Sequence, residues 1–373
     1  MKVLITGGGT GGHINPALAI ASIIKKNDKD AKFLFAGTPF GMEAKLIPLA
    51  GYDFEPIKVR GFQRKFSINN IKRNAEAFKY LLTSKKRAKE IIANFKPDIV
   101  IGTGGYVSGP VVHQATKMKI STVIHEQNAY PGMTTKILSK KVDKVMITFK
   151  ESLSYLGENI SYKLTGLPVR TEIFKNNKEE ARKILGFDDS FCILSFGGSL
   201  GSGCINETMA ELINWHTKNN LKINHIHGYG GMGKDFFPKK MKEYDIPLKS
   251  SRLRVTEYIN DMDICMAAAD LVICRSGATT ISELQALGKP SILIPSPIVA
   301  GNHQLYNANV LGKVGAAVVI EQKNVKSNDI VEIVDDFYKN TDKLKNMSAH
   351  ALKTSPKNVE ENIWGAIKDA IKK

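Results

Sequence analysis

The residues best suited to chemistry stand at the ends of short apolar runs. Gly7-Gly8-Gly9-Thr10-Gly11-Gly12-His13 follows KVLIT and leads into a helix-period stretch. Glycines in such a loop let the backbone approach a diphosphate and turn amides toward it at a helix N-terminus. His13 ends the loop, where a helix N-terminus favours the neutral, base-competent imidazole. The plainer alternative is a histidine that only hydrogen-bonds the loop backbone. Gly7, Gly9 and Gly12 match GxGxxG, but a dinucleotide site also needs an acidic residue closing the second strand. That strand ends in Ala36-Gly37-Thr38, and Asp28 and Asp30 precede it, which argues against a nicotinamide oxidoreductase.

Three further loops follow strands. Gly102-Thr103-Gly104-Gly105-Tyr106 opens GTGGYVSGP, and Gly197-Gly198-Ser199-Leu200-Gly201 follows CILSF. Arg275-Ser276-Gly277-Ala278-Thr279-Thr280-Ile281-Ser282-Glu283 follows LVIC and starts a helix whose first-turn amides and Thr hydroxyls suit an anion. Glu283 lies about one and a half turns into that helix. A carboxylate there can accept hydrogen bonds from both hydroxyls of a ribose, or simply stabilise the helix dipole.

Metal chemistry has little support. Asp261-Met262-Asp263 fits the Asp-x-Asp pattern but reads as a helix start, since a helix period follows it. His225-Ile226-His227 puts two rings on one strand face with no third ligand in view, which favours a packed strand. Cys192, Cys204, Cys265 and Cys274 form no CxxC pair, so a reduced, cytosolic setting and no tightly bound metal are expected.

The elements that must hold these loops alternate along all 373 residues. KVLIT, AKFLFAG, DIVIG, STVIHE and KVMITF are the apolar runs of the first half. CILSFGG, KINHIHG, LRVTEYI, LVICRSG, SILIPSP and AAVVIE are those of the second. Helix-period stretches lie between them, at 16–26, 68–95, 205–217 and 278–287. Continuous apolar strands separated by helices predict parallel sheets covered on both faces. The strand–glycine loop–helix beginning occurs twice, near residues 1 and 191. Two doubly wound, Rossmann-like α/β domains are therefore expected, 1–164 and 165–355, with a last helix at 356–373 packing back on the first. Ligands should lie at the carboxyl ends of the strands. A start without an apolar run and cleavage site argues against a signal peptide, and no stretch reaches the length of a transmembrane helix.

The net charge is +17, and residues 1–165 carry 26 Lys and Arg against 12 Asp and Glu. Residues 58–96 hold 12 basic and 2 acidic side chains. Such a patch seeks phosphate, or is a solvated face. Within it, Ile68, Ile71, Ala75, Phe78 and Leu82 form one helical stripe, flanked by Lys72, Arg73, Lys79, Lys85, Lys86, Arg87 and Lys89. Basic residues around apolar ones predict a peripheral contact with an anionic membrane, unless the stripe faces the sheet. No nucleic-acid-binding signature accompanies the charge, and no nucleic acid partner is expected.

GGGTGGHINPALAIA, GTGGYVSGP, HEQN, GLPVR, GGSLG, TEYINDM, CRSGATTISE and HQLYNA resemble, in order, the motifs of the MurG family, the N-acetylglucosaminyltransferases of glycosyltransferase family 28 that make lipid II. The resemblance covers nearly the whole chain. It implies a GT-B fold, two Rossmann-like domains facing a central cleft. It implies UDP-N-acetylglucosamine as donor and undecaprenyl-diphospho-N-acetylmuramoyl-pentapeptide (lipid I) as acceptor, at the cytoplasmic face of the membrane. The muramoyl C4 hydroxyl attacks the anomeric carbon, with inversion and loss of UDP.

By the same motif match, Thr10, Gly11, Gly12 and Asn128 lie against the donor sugar. Arg170 and Ser199 meet the diphosphate side. Ile259 offers backbone groups to the uracil. Ala278, Thr279, Thr280, Ile281, Ser282 and Glu283 hold diphosphate and ribose, and Gln304 binds sugar hydroxyls. Gly102 through Tyr106 take the acceptor diphosphate. The stretch Pro297–His303 departs from the Lys-Asp-Arg-Gln run of some relatives. Inverting transfer needs a base and stabilisation of the leaving charge. His13 is the first candidate base, and Glu126 of HEQN, oriented by His125, is the second. Arg170 and the helix start at Ala278 would neutralise the diphosphate. Another GT-B enzyme, such as a glycolipid synthase or a UDP-sugar epimerase, is the nearest rival; a binding module without catalysis is the rival of a different class.

Overall fold

The computed structural model describes residues 1–59 and 68–371, without the side chains of 68–79, 81 and 82. The chain forms two compact units, Met1–Pro168 with Pro356–Lys373, and Val169–Ser355.

The first unit holds a seven-stranded parallel sheet. Its strands are β1 (Lys2–Gly7), β2 (Lys32–Gly37), β3 (Asp53–Pro56), β4 (Ile99–Gly104), β5 (Ser121–Glu126), β6 (Lys144–Ile147) and β7 (Tyr162–Leu164), in the order β3-β2-β1-β4-β5-β6-β7. Side chains alternate across the pleat, and both faces are covered. Val3 and Ile5 pack beneath helix α1 (Gly11–Asn27) with Ile14, Ala17, Ile20 and Ile24, while Leu4 joins Val100 and Ile124 on the opposite face. There they meet Ala88, Ile91 and Ile92 of a long helix (Ile68–Phe95) and Val111, Val112 and Ala115 of Ser108–Lys117.

The C-terminal helix Val359–Ile371 closes the α1 side through Ile363, Ala366, Ile367 and Ala370. Each large aliphatic buried in this way contributes about 1.5–3 kcal/mol relative to exposure. Gly166 takes φ +77°, and a Cβ there would stand 2.7 Å from Pro356, so the returning chain crosses closely at this point.

The second unit repeats the scheme with β8 (Phe191–Phe196), β9 (Ile223–Gly228), β10 (Leu253–Thr256), β11 (Leu271–Cys274), β12 (Ser291–Leu293) and β13 (Ala317–Val319), in the order β10-β9-β8-β11-β12-β13, all parallel. In each sheet the winding reverses once, between β1 and β4 and between β8 and β11. Ligand crevices of open α/β sheets form at such reversals, and all four loops singled out in the sequence stand there.

Three local features differ from the sequence expectations. Helix α1 starts at Gly11 rather than Pro16, so Gly11, Gly12 and His13 form its first turn, with Thr10 O accepting from the His13 and Ile14 amides. β3 and β7 were not expected. Both are three- or four-residue edge strands with partly exposed side chains, so they carry no continuous apolar run. Several expected strands end earlier, LRVTEYI at Thr256 among them. Of the expected membrane face, residues 60–67 and the side chains of Ile68, Ile71, Lys72, Arg73, Ala75, Phe78, Lys79 and Leu82 lie outside the described residues. No helix among the described residues is long and apolar enough to cross a membrane.

Candidate active site

In the first unit the loops after β1 and β4 are stitched together around His13. Its Nδ1 lies 3.0 Å from Thr103 O and 3.2 Å from Gln127 Oε1, and Thr103 Oγ1 donates to His13 O at 2.8 Å. The imidazole rests on Gly104, whose φ is +109° and whose absent Cβ would meet Nδ1 at 2.6 Å. Gly105, at φ +82°, leaves room for Gly8 O, which a Cβ would approach to 2.3 Å. Glycine is required at both positions by conformation and by space. Tyr106 beyond them is 66% exposed.

Glu43, not singled out in the sequence, lies fully buried beneath the first loop. Its Oε2 accepts from Gly9 N–H at 3.0 Å and its Oε1 from Thr38 N–H at 3.0 Å and the Thr38 hydroxyl at 2.6 Å. Burial pushes this carboxyl up, but the hydrogen bonds outweigh it and hold the group below the usual carboxylate range. A buried anion under the loop disfavours a second anion above it. The loop Gly8–Gly12 therefore suits a neutral sugar better than the phosphate that its glycines alone suggest.

HEQN closes β5. Glu126 is buried; Oε1 accepts from the Asn128 backbone and side-chain amides at 3.0 and 3.2 Å, and Oε2 from Gly132 N–H at 3.0 Å. His125 hydrogen-bonds Gly166 O through Nε2 (3.1 Å) and Gln127 through Nδ1 (3.0 Å), so its ring nitrogens are engaged away from Glu126. Burial lowers the His125 pKa and keeps the ring neutral. Among the described residues, nothing is hydrogen-bonded to His13 Nε2.

In the second unit the helix Ala278–Leu287 begins directly after β11, and its N-cap Gly277 supplies no side-chain cap. Thr279 and Thr280 are half-buried, whereas Ile281 and Ser282 are buried and the Ile281 N–H already donates to Gly277 O at 2.9 Å, so the amides of the first turn, Ala278 to Thr280, are the ones open to a ligand. Glu283 is buried at 8% side-chain exposure, and its Oε1 accepts from Arg170 Nε and NH2, each at 3.2 Å. Burial pushes the Glu283 carboxyl up, and Arg170 offsets this in part. Arg170 itself is 53% exposed.

Arg275 braces the crevice: NH1 donates to Ile294 O and Pro295 O, and NH2 to Ser202 Oγ and Gln322 Oε1. Gln304 Oε1 accepts from Ser296 N–H at 2.8 Å, which leaves its amide N–H groups to face a ligand. Ser199 is exposed in the loop after β8. The Ile259 side chain is buried against Gly228, so a ligand there would meet its backbone.

Asp261 is held by Arg254 through two bonds of 2.7 Å at the start of the helix Met262–Ala268, and this pairing lowers its pKa. Among the described residues no group of three His, Cys, Asp or Glu could hold a metal.

His225 and His227 belong instead to a directional hydrogen-bond chain. Asn206 Nδ2 donates to Tyr229 O (3.0 Å), which leaves its Oδ1 to accept from His227 Nε2 (3.3 Å). Ser195 Oγ lies 2.8 Å from His227 Nδ1 and 2.9 Å from His225 Nε2, and His216 Nε2 lies 3.2 Å from His225 Nδ1. Every link is satisfied with all three rings neutral. Burial lowers His216 to about 4, His227 to about 3, and His225 well below its usual value. Unfolded histidines take up protons near pH 6.5, whereas these do not. Stability is thus fully present above pH 6.5 and is lost below it, down to about pH 4 for His216 and about pH 3 for His227, by about 1.4 kcal/mol per pH unit for each group. Urea midpoints for this unit, followed by Trp215 fluorescence in a Trp364→Phe background, are expected to fall markedly between pH 7 and 5. Equal midpoints would rule out the neutral chain.

Comparison with known proteins bears on these two crevices together. The N-terminal domain model of glycosyltransferase family 28 matches residues 3–147, and the C-terminal domain model matches residues 192–363. The chain belongs to glycosyltransferase family 28. Within the family, it is 48% identical over its whole length, and 99% of the relative's, to the UDP-N-acetylglucosamine--N-acetylmuramyl-(pentapeptide) pyrophosphoryl-undecaprenol N-acetylglucosamine transferase of Acetivibrio thermocellus. The crystal structure of Acinetobacter baumannii MurG is similar at TM-score 0.78 and 27% identity, over 98% of this chain and 99% of that one. The two α/β units are thus those of a GT-B-like family 28 enzyme. A UDP-N-acetylglucosamine 2-epimerase structure from Listeria monocytogenes, described as putative, matches at TM-score 0.67 and 14% identity, over 98% of this chain and 95% of that one; it shares the fold alone.

Proposed function

We propose that this chain transfers N-acetylglucosamine from its UDP carrier to the C4 hydroxyl of the muramoyl sugar of lipid I, releasing UDP and forming lipid II. One observation carries the donor half of this reading. A single helix after β11 presents an uncapped N-terminus and, one and a half turns on, a buried carboxylate beside Arg170. Helix-end amides suit a diphosphate, and a carboxylate at Glu283 suits the two ribose hydroxyls. Relatives named as transferases of this sugar support the choice of donor and acceptor.

In the reaction, His13 Nε2 takes the proton of the attacking hydroxyl while its oxygen bonds to the anomeric carbon. The bond from that carbon to the diphosphate oxygen breaks, and the electron pair leaves with UDP. Arg170 and the helix amides at Ala278 stabilise the departing charge. Glu126 is less suited to be the base, because both its oxygens already accept N–H bonds. Thr10, Gly11, Gly12 and Asn128 contact the transferred sugar, and Gly102–Tyr106 receive the acceptor diphosphate. Incubation with UDP-N-acetylglucosamine and a lipid I analogue should release UDP in step with disaccharide formation; UDP release without disaccharide would point to another member of the fold.

A lipid-linked acceptor requires the enzyme to work at a membrane, and we assign it to the cytoplasmic face. The described part of the basic helix supports the contact: Lys86 and Lys89 are exposed, whereas Arg87 is tied to Glu55 and Glu90. Reversing Lys86 and Lys89 to Glu should weaken binding to anionic vesicles roughly tenfold or more, at about 1 kcal/mol for each basic residue near the surface. Unchanged vesicle binding would remove this helix from the membrane contact.

A further inference from the structure

The hydrogen bonds around His13 form a second directional chain, and they assign a role to a residue that the reaction as described does not use. His125 Nε2 faces Gly166 O at 3.1 Å and must carry the proton, so its Nδ1 is a lone pair. Gln127, itself buried, directs Nε2 to that lone pair (3.0 Å) and to the His125 carbonyl (3.0 Å). The carbonyl accepts only, which fixes the amide with nitrogen on this side and Oε1 on the other. Oε1 lies 3.2 Å from His13 Nδ1, and Thr103 O lies 3.0 Å from the same nitrogen. Two obligate acceptors at Nδ1 demand a proton there. The neutral His13 ring therefore carries its lone pair on Nε2.

We infer that Gln127 is a positioning residue that, together with Thr103 O, sets the tautomer of His13, with the chain Gly166–His125–Gln127 as its anchor. An imidazole free in water favours the opposite tautomer, with the proton on Nε2. Without the chain, Thr103 O is the one acceptor left among the described residues to bias the proton toward Nδ1, and part of the population would present an N–H where a base is needed. Gln127 touches no reacting atom and acts through His13 alone. The inference rests on the reading of His13 as the base, but the tautomer can be measured without any turnover.

Selective 15N-histidine labelling of the full chain, with His13→Ala to identify the signal, reads the ring directly. The wild-type ring is expected to show a protonated Nδ1 and an unprotonated Nε2. Gln127→Leu should move His13 to a mixture of tautomers and lower kcat about tenfold, a fraction of a full general-base effect, with the donor KM unchanged. Gln127→Asn withdraws the oxygen by one carbon and should do the same if the leucine variant does not fold. Gln127→Glu keeps an acceptor and should keep the proton on Nδ1. A wild-type ring protonated on Nε2, or nitrogen shifts unmoved in the leucine and asparagine variants, overturns the inference. Full turnover by His13→Ala overturns the assignment of the base instead and leaves the tautomer result standing.

Discussion

Glu283→Ala is expected to weaken UDP binding about a hundredfold in titration calorimetry, which corresponds to about 2.7 kcal/mol. The magnitude follows from two hydrogen bonds accepted by one carboxylate, since bonds to a charged group contribute about 1.5–3 kcal/mol each. Release of Arg170 offsets part of the loss, because the guanidinium no longer has Glu283 to leave before it meets the diphosphate. The fold itself should tolerate the change. Glu283 is a buried carboxylate whose partner is half exposed, so its removal frees Arg170 to solvent rather than stranding a charge. Glu283→Gln keeps the shape and one acceptor oxygen, and its loss should lie between wild type and alanine. Equal affinity in all three proteins would show that the helix does not hold the ribose, and the donor site would have to be sought elsewhere.

His13→Ala should lower kcat by about two to four orders of magnitude, the usual span for a lost general base, while UDP affinity stays as it was. The separation of the two effects comes from the fold. His13 stands on the first sheet's switch point and the helix proposed to hold the nucleotide on the second sheet's, in different units of the chain. The substitution also leaves Gln127 Oε1 without its His13 partner, so thermal unfolding should be recorded beside the kinetics. A kcat loss with an unchanged melting temperature supports proton transfer at Nε2. Glu126→Gln offers the contrast: it disturbs the N–H bonds that shape residues 128–132, and its effect should appear in KM as well as kcat. If His13→Ala turned over normally and Glu126→Gln did not, the base would be the carboxylate.

The sequence by itself determined the architecture and the position of every glycine loop. Apolar runs such as KVLIT and STVIHE have no polar alternation, which only a strand covered on both faces tolerates, and glycine breaks mark where each strand hands over to a helix. Burial and local turns are encoded in neighbouring residues, so they can be read without knowing what lies opposite. The short edge strands β3 and β7 escaped because an edge needs little apolar surface.

Only the tertiary structure decided the partners. Arg170 and Glu283 are 113 residues apart, His13 and Gln127 are 114 apart, and Glu43 reaches Gly9 across 34. Which side chains meet depends on strand order and register, fixed by packing over the whole sheet, and no periodicity within one segment carries that information. For the same reason the glycines after β1 by themselves suggest a phosphate cradle, and the buried Glu43 carboxylate beneath them, which favours a neutral sugar instead, is legible only in the fold. The His-x-His pair on β9 could be read as packed, but its chain through Ser195 and Asn206 could not.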